Sequence, residues 1–289
     1  MTRTIQAAWL ALREGLSQST LRRKAEPTPD MSDEENVQAF HAEGSEQGAL
    51  LGVYHFNARA VHSLVPEGGT VVDLGCGSGQ FLRYLARRRP DLRLVGLDLS
   101  EKMVSVGKAM LREQGLSDRV ELRVGDMTVF SAKVPAVVHL MTSIFALHHL
   151  PTSTDLYACL REIERVRRRH TAGFWIFDHA RPKRPDTAER FPGVFTPCAA
   201  PAFNADSTNS LIASWSFEEL RSALTEAIGD EFESSLARLL RLYQVHWKVG
   251  RLPSAANAPG WLEPRLPKSA LKDANSLAGL FGRLPKGKT

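Results

Sequence analysis

Cysteine is scarce in this chain: three in 289 residues, Cys76, Cys159 and Cys198, an odd number with no CxxC pair and no Cys/His metal spacing. That excludes a disulfide framework and a zinc motif, so a reducing compartment and no bound metal are expected. Long apolar runs are missing too. No stretch approaches the roughly 18 uninterrupted apolar residues of a membrane span, and Arg13 and Glu14 interrupt the N-terminus before a signal-peptide core could form. The expectation is a cytoplasmic protein with no membrane partner. An excess of one charge is also lacking over most of the chain. Totals of 37 Lys+Arg and 32 Asp+Glu give +5, but residues 250–289 hold seven of the bases and two of the acids, leaving residues 1–249 balanced at 30 of each. The isoelectric point near 9.2 therefore belongs to a basic tail and is a poor argument for a nucleic-acid partner.

What is present is ordinary globular composition, 43% apolar and 24% charged, enough for a real core in one or two domains. Ile5, Trp9, Leu12 and Leu16 recur at three-to-four spacing, the stripe of an amphipathic helix. After the polar stretch 24–36, Ser32 with Glu35 gives a capping box for a second helix through about Leu50, so residues 1–55 read as an N-terminal helical cap. From Gly69 the pattern becomes short Val/Leu runs alternating with helical stretches: TVVDL, a helix to Arg89, LRLVGLDL, a helix to Gly115, then strands near 119–124, 136–142 and 171–178 with a helix over 152–169. Such alternation implies βαβ units and a parallel sheet covered on both faces. Residues 181–215, with five prolines and several aromatics, break the rhythm and read as an inserted lid. Ser216 with Glu219 caps a helix to about Ile228, and 232–236 with 242–249 form a closing hairpin. The body runs from 56 to 249; residues 250–289 show no sustained period and read as a Pro/Gly-containing tail.

The sharpest motif is VVDLGCGSG, an apolar strand ending at Asp73 and followed by Gly75, Gly77 and Gly79 ahead of a helix. Glycines let the backbone approach a ligand, and the helix N-terminus offers free N–H groups. A dinucleotide fingerprint beginning at Gly75 needs glycine at 80 and meets Gln80, which counts against NAD or FAD. From here to Val249 the chain resembles the class I S-adenosylmethionine (SAM) dependent methyltransferases. The resemblance implies an α/β fold with a Rossmann-like, doubly wound, seven-stranded and mostly parallel sheet, and SAM as cofactor with S-adenosylhomocysteine (SAH) as its product. It also implies cofactor roles for Asp73, Gly75, Cys76, Gly77 and Gly79 at the methionine part, Asp98 and Leu99 at the ribose, Met103 nearby, and Asp126 and Met127 at the adenine. Independently, strand-end acids suit ribose hydroxyls and an amine, each of which wants an acceptor; capping of helices is their structural alternative.

SIFALHHLP, Ser143 to Pro151, resembles the family's motif after strand four and makes Ser143, Ile144 and His148 lining candidates. Adjacent histidines do not share a helix face, so one is expected at the cleft and the other in packing. A base is needed only for an acceptor protonated at working pH; the candidates are His148, Asp178 with His179, and Tyr54 or His55. An NPPY-type motif is absent, which counts against base amino groups as acceptors. The expected reaction is in-line transfer to a small-molecule acceptor, behind a lid whose Phe191, Phe195, Phe203 and Trp215 either enclose that acceptor or pack on one another. RNA or protein methylation, suggested by the arginine runs at 87–89, 165–169 and 181–184, and a SAM-binding module without catalysis are the alternatives.

Overall fold

The computed structural model describes residues 3–26, 43, 48–251 and 260–285; the capping box at Ser32 lies outside them. Its core is a seven-stranded sheet made of β1 (Thr70–Leu74), β2 (Arg93–Asp98), β3 (Val120–Val124), β4 (Leu140–Ile144), β5 (Gly173–His179), β6 (Glu233–Leu236) and β7 (Tyr243–Lys248). Spatial order is β3-β2-β1-β4-β5-β7-β6, with β1 to β5 parallel and β7 antiparallel to both β5 and β6. Burial follows position. The central strand β1 is buried at every residue, whereas edge strand β3 alternates, as expected for two covered faces against one shared edge.

On one face lie α2 (Leu51–Leu64), α3 (Gln80–Arg88), α4 (Glu101–Glu113) and α9 (Lys268–Leu280), packed with Trp175, Phe177, Val245 and Trp247. The other carries α5 (Ser153–His170) and α8 (Phe217–Ile228), whose Leu156, Leu160, Leu220 and Leu224 meet Phe174 and Ile176. Both α5 and α8 begin in full capping boxes, Thr152 with Asp155 and Ser216 with Glu219.

Several expectations change. The stripe of α1 (Arg3–Leu16) faces outward: Ile5, Trp9, Leu12 and Leu16 are exposed, and the helix is held through buried Leu10 and Glu14, whose carboxylate accepts from the Thr187 hydroxyl at 2.7 Å. The boundary expected at 55/56 falls inside α2, which is core rather than cap, because Asn57 Oδ1 accepts from Trp175 Nε1 at 2.7 Å and Phe56 packs on Phe177. Within 250–289, α9 docks on α2 through Ala270, Ala274 and Leu277. The 181–215 insertion folds as α6 (Pro185–Phe195) and α7 (Pro201–Ala213), each with proline at its first position, where the missing N–H is harmless.

Candidate active site

The carboxyl ends of β1, β2 and β4, with the residues after β3, open on one cavity of about 290 Å³. This is the crevice that an open α/β sheet forms where its strand order reverses. The glycine loop makes its first wall. Gly75 has φ +69° and donates its N–H to Leu97 O at 2.8 Å; a Cβ there would lie 2.4 Å from the Ala146 methyl carbon. Gly79, φ +71°, opens α3. Asp98 ties this loop to β2, accepting from the Gly77 N–H at 2.7 Å on Oδ2 and from the Ser100 N–H at 2.9 Å on Oδ1. Burial raises its carboxyl above the usual range against those two bonds.

Asp73 also lines the cavity. Its Oδ1 accepts from the Thr142 hydroxyl at 2.6 Å, yet burial, with the Asp98 charge, pushes its carboxyl up to about 7. Asp126 receives both the N–H and the hydroxyl of Thr128 on Oδ1, leaving Oδ2 without a hydrogen bond among the described residues. Leu99, Met103, Met127, Ile144 and Phe145 supply apolar surface. Cys76 and Gly77 are on the wall, and burial raises the Cys76 thiol well above its ordinary range. These residues fit SAM: carboxylates for an ammonium, hydroxyls and an amine, flat apolar surfaces for a ring, and a loop that a side chain at Gly75 would fill.

Not every expected residue reaches the cavity. Tyr54 does, donating from its hydroxyl to Gln80 Oε1 at 3.1 Å; burial keeps the phenol protonated far above neutrality. His55 lies behind it, bonded through Nδ1 to the Tyr84 hydroxyl at 2.8 Å. Ser143 is buried with no partner for its hydroxyl among the described residues, and the wall there is Ile144 and Phe145. Phe145 sits at φ +55° and stacks on His179 with centroids 4.4 Å apart, a conformation a non-glycine residue holds only when its surroundings fix it. The turn Leu147–His149 that follows places His149 on the wall and His148 behind it. His148 Nδ1 donates to Asp178 Oδ1 at 2.6 Å; burial alone would lower this imidazole, but the Asp178 carboxylate carries it up to about 9. Asp178 is lowered in turn, its burial outweighed by His148. The neighbouring His179 is driven down to about 3, first by burial and then by the His148 charge.

Sequence reasoning missed Gln80, Phe81, Thr128, Phe145 and His149 on the wall. It missed Glu26 as well, which contacts His149 Nδ1 and accepts from the Ser210 hydroxyl at 2.8 Å. Burial of Glu26 is outweighed by these histidines, which take it down to about 2. Phe191, Phe195, Phe203 and Trp215 do not line the cavity: Phe191 stacks on Phe195 at 4.7 Å, Phe203 joins the sheet core, and Trp215 donates from Nε1 to Leu147 O at 2.9 Å. The arginine runs are largely spent internally, Arg89 on Asp91, Arg165 on Glu162, Arg167 and Arg168 on Glu164, Arg181 on Glu219, and Arg184 on Asp186. No described helix is long and apolar enough to cross a membrane.

A family model described as a methyltransferase domain matches residues 71–170, from β1 through α5. Trans-aconitate 2-methyltransferase of Mycobacterium ulcerans is 40% identical over 86 residues, 30% of this chain and 29% of that protein. Carboxy-S-adenosyl-L-methionine synthase of Campylobacter jejuni is 42% identical over 53 residues, 18% of this chain and 23% of that enzyme. The match thus spans less than a third of these curated relatives. Among solved structures, plantazolicin methyltransferase BpumL in complex with a monoazolic desmethylPZN analog and SAH superposes with a TM-score of 0.57 at 13% identity, covering 86% of this chain and 99% of that one. That identity carries the fold alone.

Proposed function

We propose that this chain, whose residues 71–170 match a methyltransferase-domain family model, is a class I SAM-dependent methyltransferase and transfers a methyl group from SAM to a small-molecule acceptor. The observation that carries the reading is the cavity itself, where Asp73, Asp98 and Asp126 surround a left-handed glycine loop at the sheet's carboxyl edge. When bound, SAM supplies a methyl carbon made electrophilic by its positively charged sulfur. The chain's own task is then alignment and exclusion of water. Asp98 and Asp126 hold hydroxyl and amine groups, Asp73 faces positive charge, and Ile144, Phe145 and Leu150 keep water from the reacting end.

We assign Tyr54 to orientation, since its protonated hydroxyl is a donor fixed against Gln80. His148 and Asp178 are positioning residues that hold the turn carrying His149. His55 supports α3 through Tyr84. A small acceptor is favoured over RNA because most cations of the arginine runs are already paired within the chain, and the described wall bears no lysine or arginine.

Calorimetric titration of SAM and SAH tests the cofactor assignment. Asp98→Ala is expected to weaken both at least tenfold while retaining the circular dichroism of the fold; unchanged affinity overturns the assignment. SAH release across a panel of acceptors tests transfer, and silence despite tight SAM binding would favour a SAM-binding module instead.

A further inference from the structure

Behind the cavity wall, separate elements bring donor atoms to one point. Glu26 lies after α1, His148 and His149 share the turn after β4, Asp178 lies in β5, and Asp206 and Ser210 lie one turn apart on α7. His149 Nδ1 contacts Glu26 Oε2, while His148 Nε2 faces Glu26 Oε1 at 3.9 Å, and the two imidazole centroids are 4.2 Å apart. A donor atom from each of Glu26, His148 and His149 lies within 4.8 Å of the other two.

We propose that Glu26, His148 and His149 form a binding site for a divalent first-row transition ion. Two imidazole nitrogens and one carboxylate suit zinc, cobalt, nickel or iron better than magnesium or calcium, which prefer oxygen throughout. Asp178 supplies an independent sign. Because a carboxylate only accepts, the His148 Nδ1 that meets Asp178 carries a hydrogen, so Nε2 is the ring atom left to an ion, which would displace the proton there; carboxylates orient metal-binding histidines in this way. That Nε2 belongs to a side chain only 3% exposed and faces the Glu26 carboxylate at 3.9 Å, beyond hydrogen-bond distance.

Formal charge points the same way. Glu26, Asp178 and Asp206 surround the two imidazoles, and the adjacent fixed cation, Arg23, is bonded to the carbonyls of Ala213, Pro151, His148 and Leu150. Once an ion has displaced the His148 proton, the cluster carries two negative charges in excess, the complement of one divalent ion. Cysteine and histidine spacing in the sequence gives no hint of it, because Glu26 lies more than a hundred residues from the histidine pair. His149 also lines the cavity, so the ion would supply the positive charge that the described wall lacks. On the methyl-transfer reading, on which this extension rests, that favours an acceptor anchored through a hydroxyl or carboxylate oxygen.

The test uses the full chain, stripped with chelator and titrated with Co²⁺ under visible spectroscopy and equilibrium dialysis. One Co²⁺ per chain is expected, with ligand-field bands, and at least tenfold weaker binding in Glu26→Gln and in His149→Ala. X-ray absorption on the wild-type Co²⁺ protein should give two imidazole nitrogens in the shell, a readout independent of whether the variants fold. No stoichiometric binding up to millimolar Co²⁺, an all-oxygen shell, or equal affinity in both variants overturns the proposal. SAH calorimetry on the stripped protein separates the two readings: loss of SAH binding with the Co²⁺ site intact defeats the cofactor assignment alone, and the reverse defeats the ion site alone.

Discussion

The Thr142 hydroxyl donates to Asp73 Oδ1 at 2.6 Å across the β1–β4 register, at the point where both strands open on the cavity. Even with this bond, burial holds the carboxyl up to about 7, so near neutral pH it is divided between its two forms. SAM carries net positive charge, and its binding is coupled to the ionised form. Its affinity is expected to fall by up to tenfold per pH unit below about 7 and to level off above. Asp73→Asn should bind weakly and without this slope. Calorimetry between pH 5.5 and 8.5 checks it. The free protein should show the opposite trend. A carboxyl raised from its unfolded value near 3.9 contributes stability below that value, and the contribution is lost as pH rises through about 7.

Gly75 is the position where the loop tolerates no side chain. Its φ of +69° costs an L-residue about 1–2 kcal/mol, and the added carbon would meet the Ala146 methyl at 2.4 Å. Gly75→Ala should therefore lower the Tm by several degrees and abolish SAH binding. Gly193 is the control. It lies in α6 with nothing within 4 Å of an added Cβ, so Gly193→Ala should be neutral or stabilising by roughly 0.5–1 kcal/mol. Parallel thermal melts with and without SAH distinguish the two.

Much of this was legible in the sequence because it is local. Asp73, Asp98 and Asp126 each follow a Val/Leu run, and strands read from such runs bring their carboxyl ends together once the sheet is parallel. What was not legible depends on partners distant in the chain. Periodicity found the Ile5–Leu16 stripe but could not tell whether another element covers it. The docking face of α9 is small, Ala270 and Ala274 with Leu277, and gives almost no apolar signal. Pro185 and Pro201 read as loop residues, although each begins a helix. The His148/His149 pair could not be resolved because the chain there makes a short 3₁₀ turn rather than an α-helix, so both rings approach Glu26.

The C-terminal helix should be integral to stability. Phe281 ends it stacked on Phe56, centroids 5.6 Å apart at 18°, and packs edge-on to Phe177. The Arg238 N–H also donates to Leu280 O at 2.7 Å. Phe281→Ala removes a buried ring from a close-packed site, a change that costs about 3–5 kcal/mol in protein cores. Urea unfolding should show a shift of that order with an unchanged m-value. A shift under about 1 kcal/mol would mean that α9 is dispensable.

Acid should unfold the protein through histidines that are neutral in the fold. His246 is fully buried on β7, bonded through Nδ1 to the Ser234 hydroxyl at 2.7 Å and through Nε2 to Gln244 Oε1 at 3.0 Å. Burial first, then the Arg221 charge, drives it down to about 3; His179, also buried, lies near 3 as well. Unfolded histidine titrates near 6.5. Below that pH the unfolded chain binds protons that the folded one refuses, so this stability is present above 6.5 and is lost as pH falls towards 3. Well below 6.5 the slope is about 1.4 kcal/mol per pH unit for each such histidine. His148, held up to about 9, opposes this trend only above about 6.5, while Asp73, raised to about 7, opposes it below that and offsets about one histidine, leaving a net loss of stability on acidification. Urea midpoints from pH 7.5 to 4.5 should fall accordingly, and His246→Gln should reduce the slope by one proton. An identical slope in that variant would show that His246 is not held neutral.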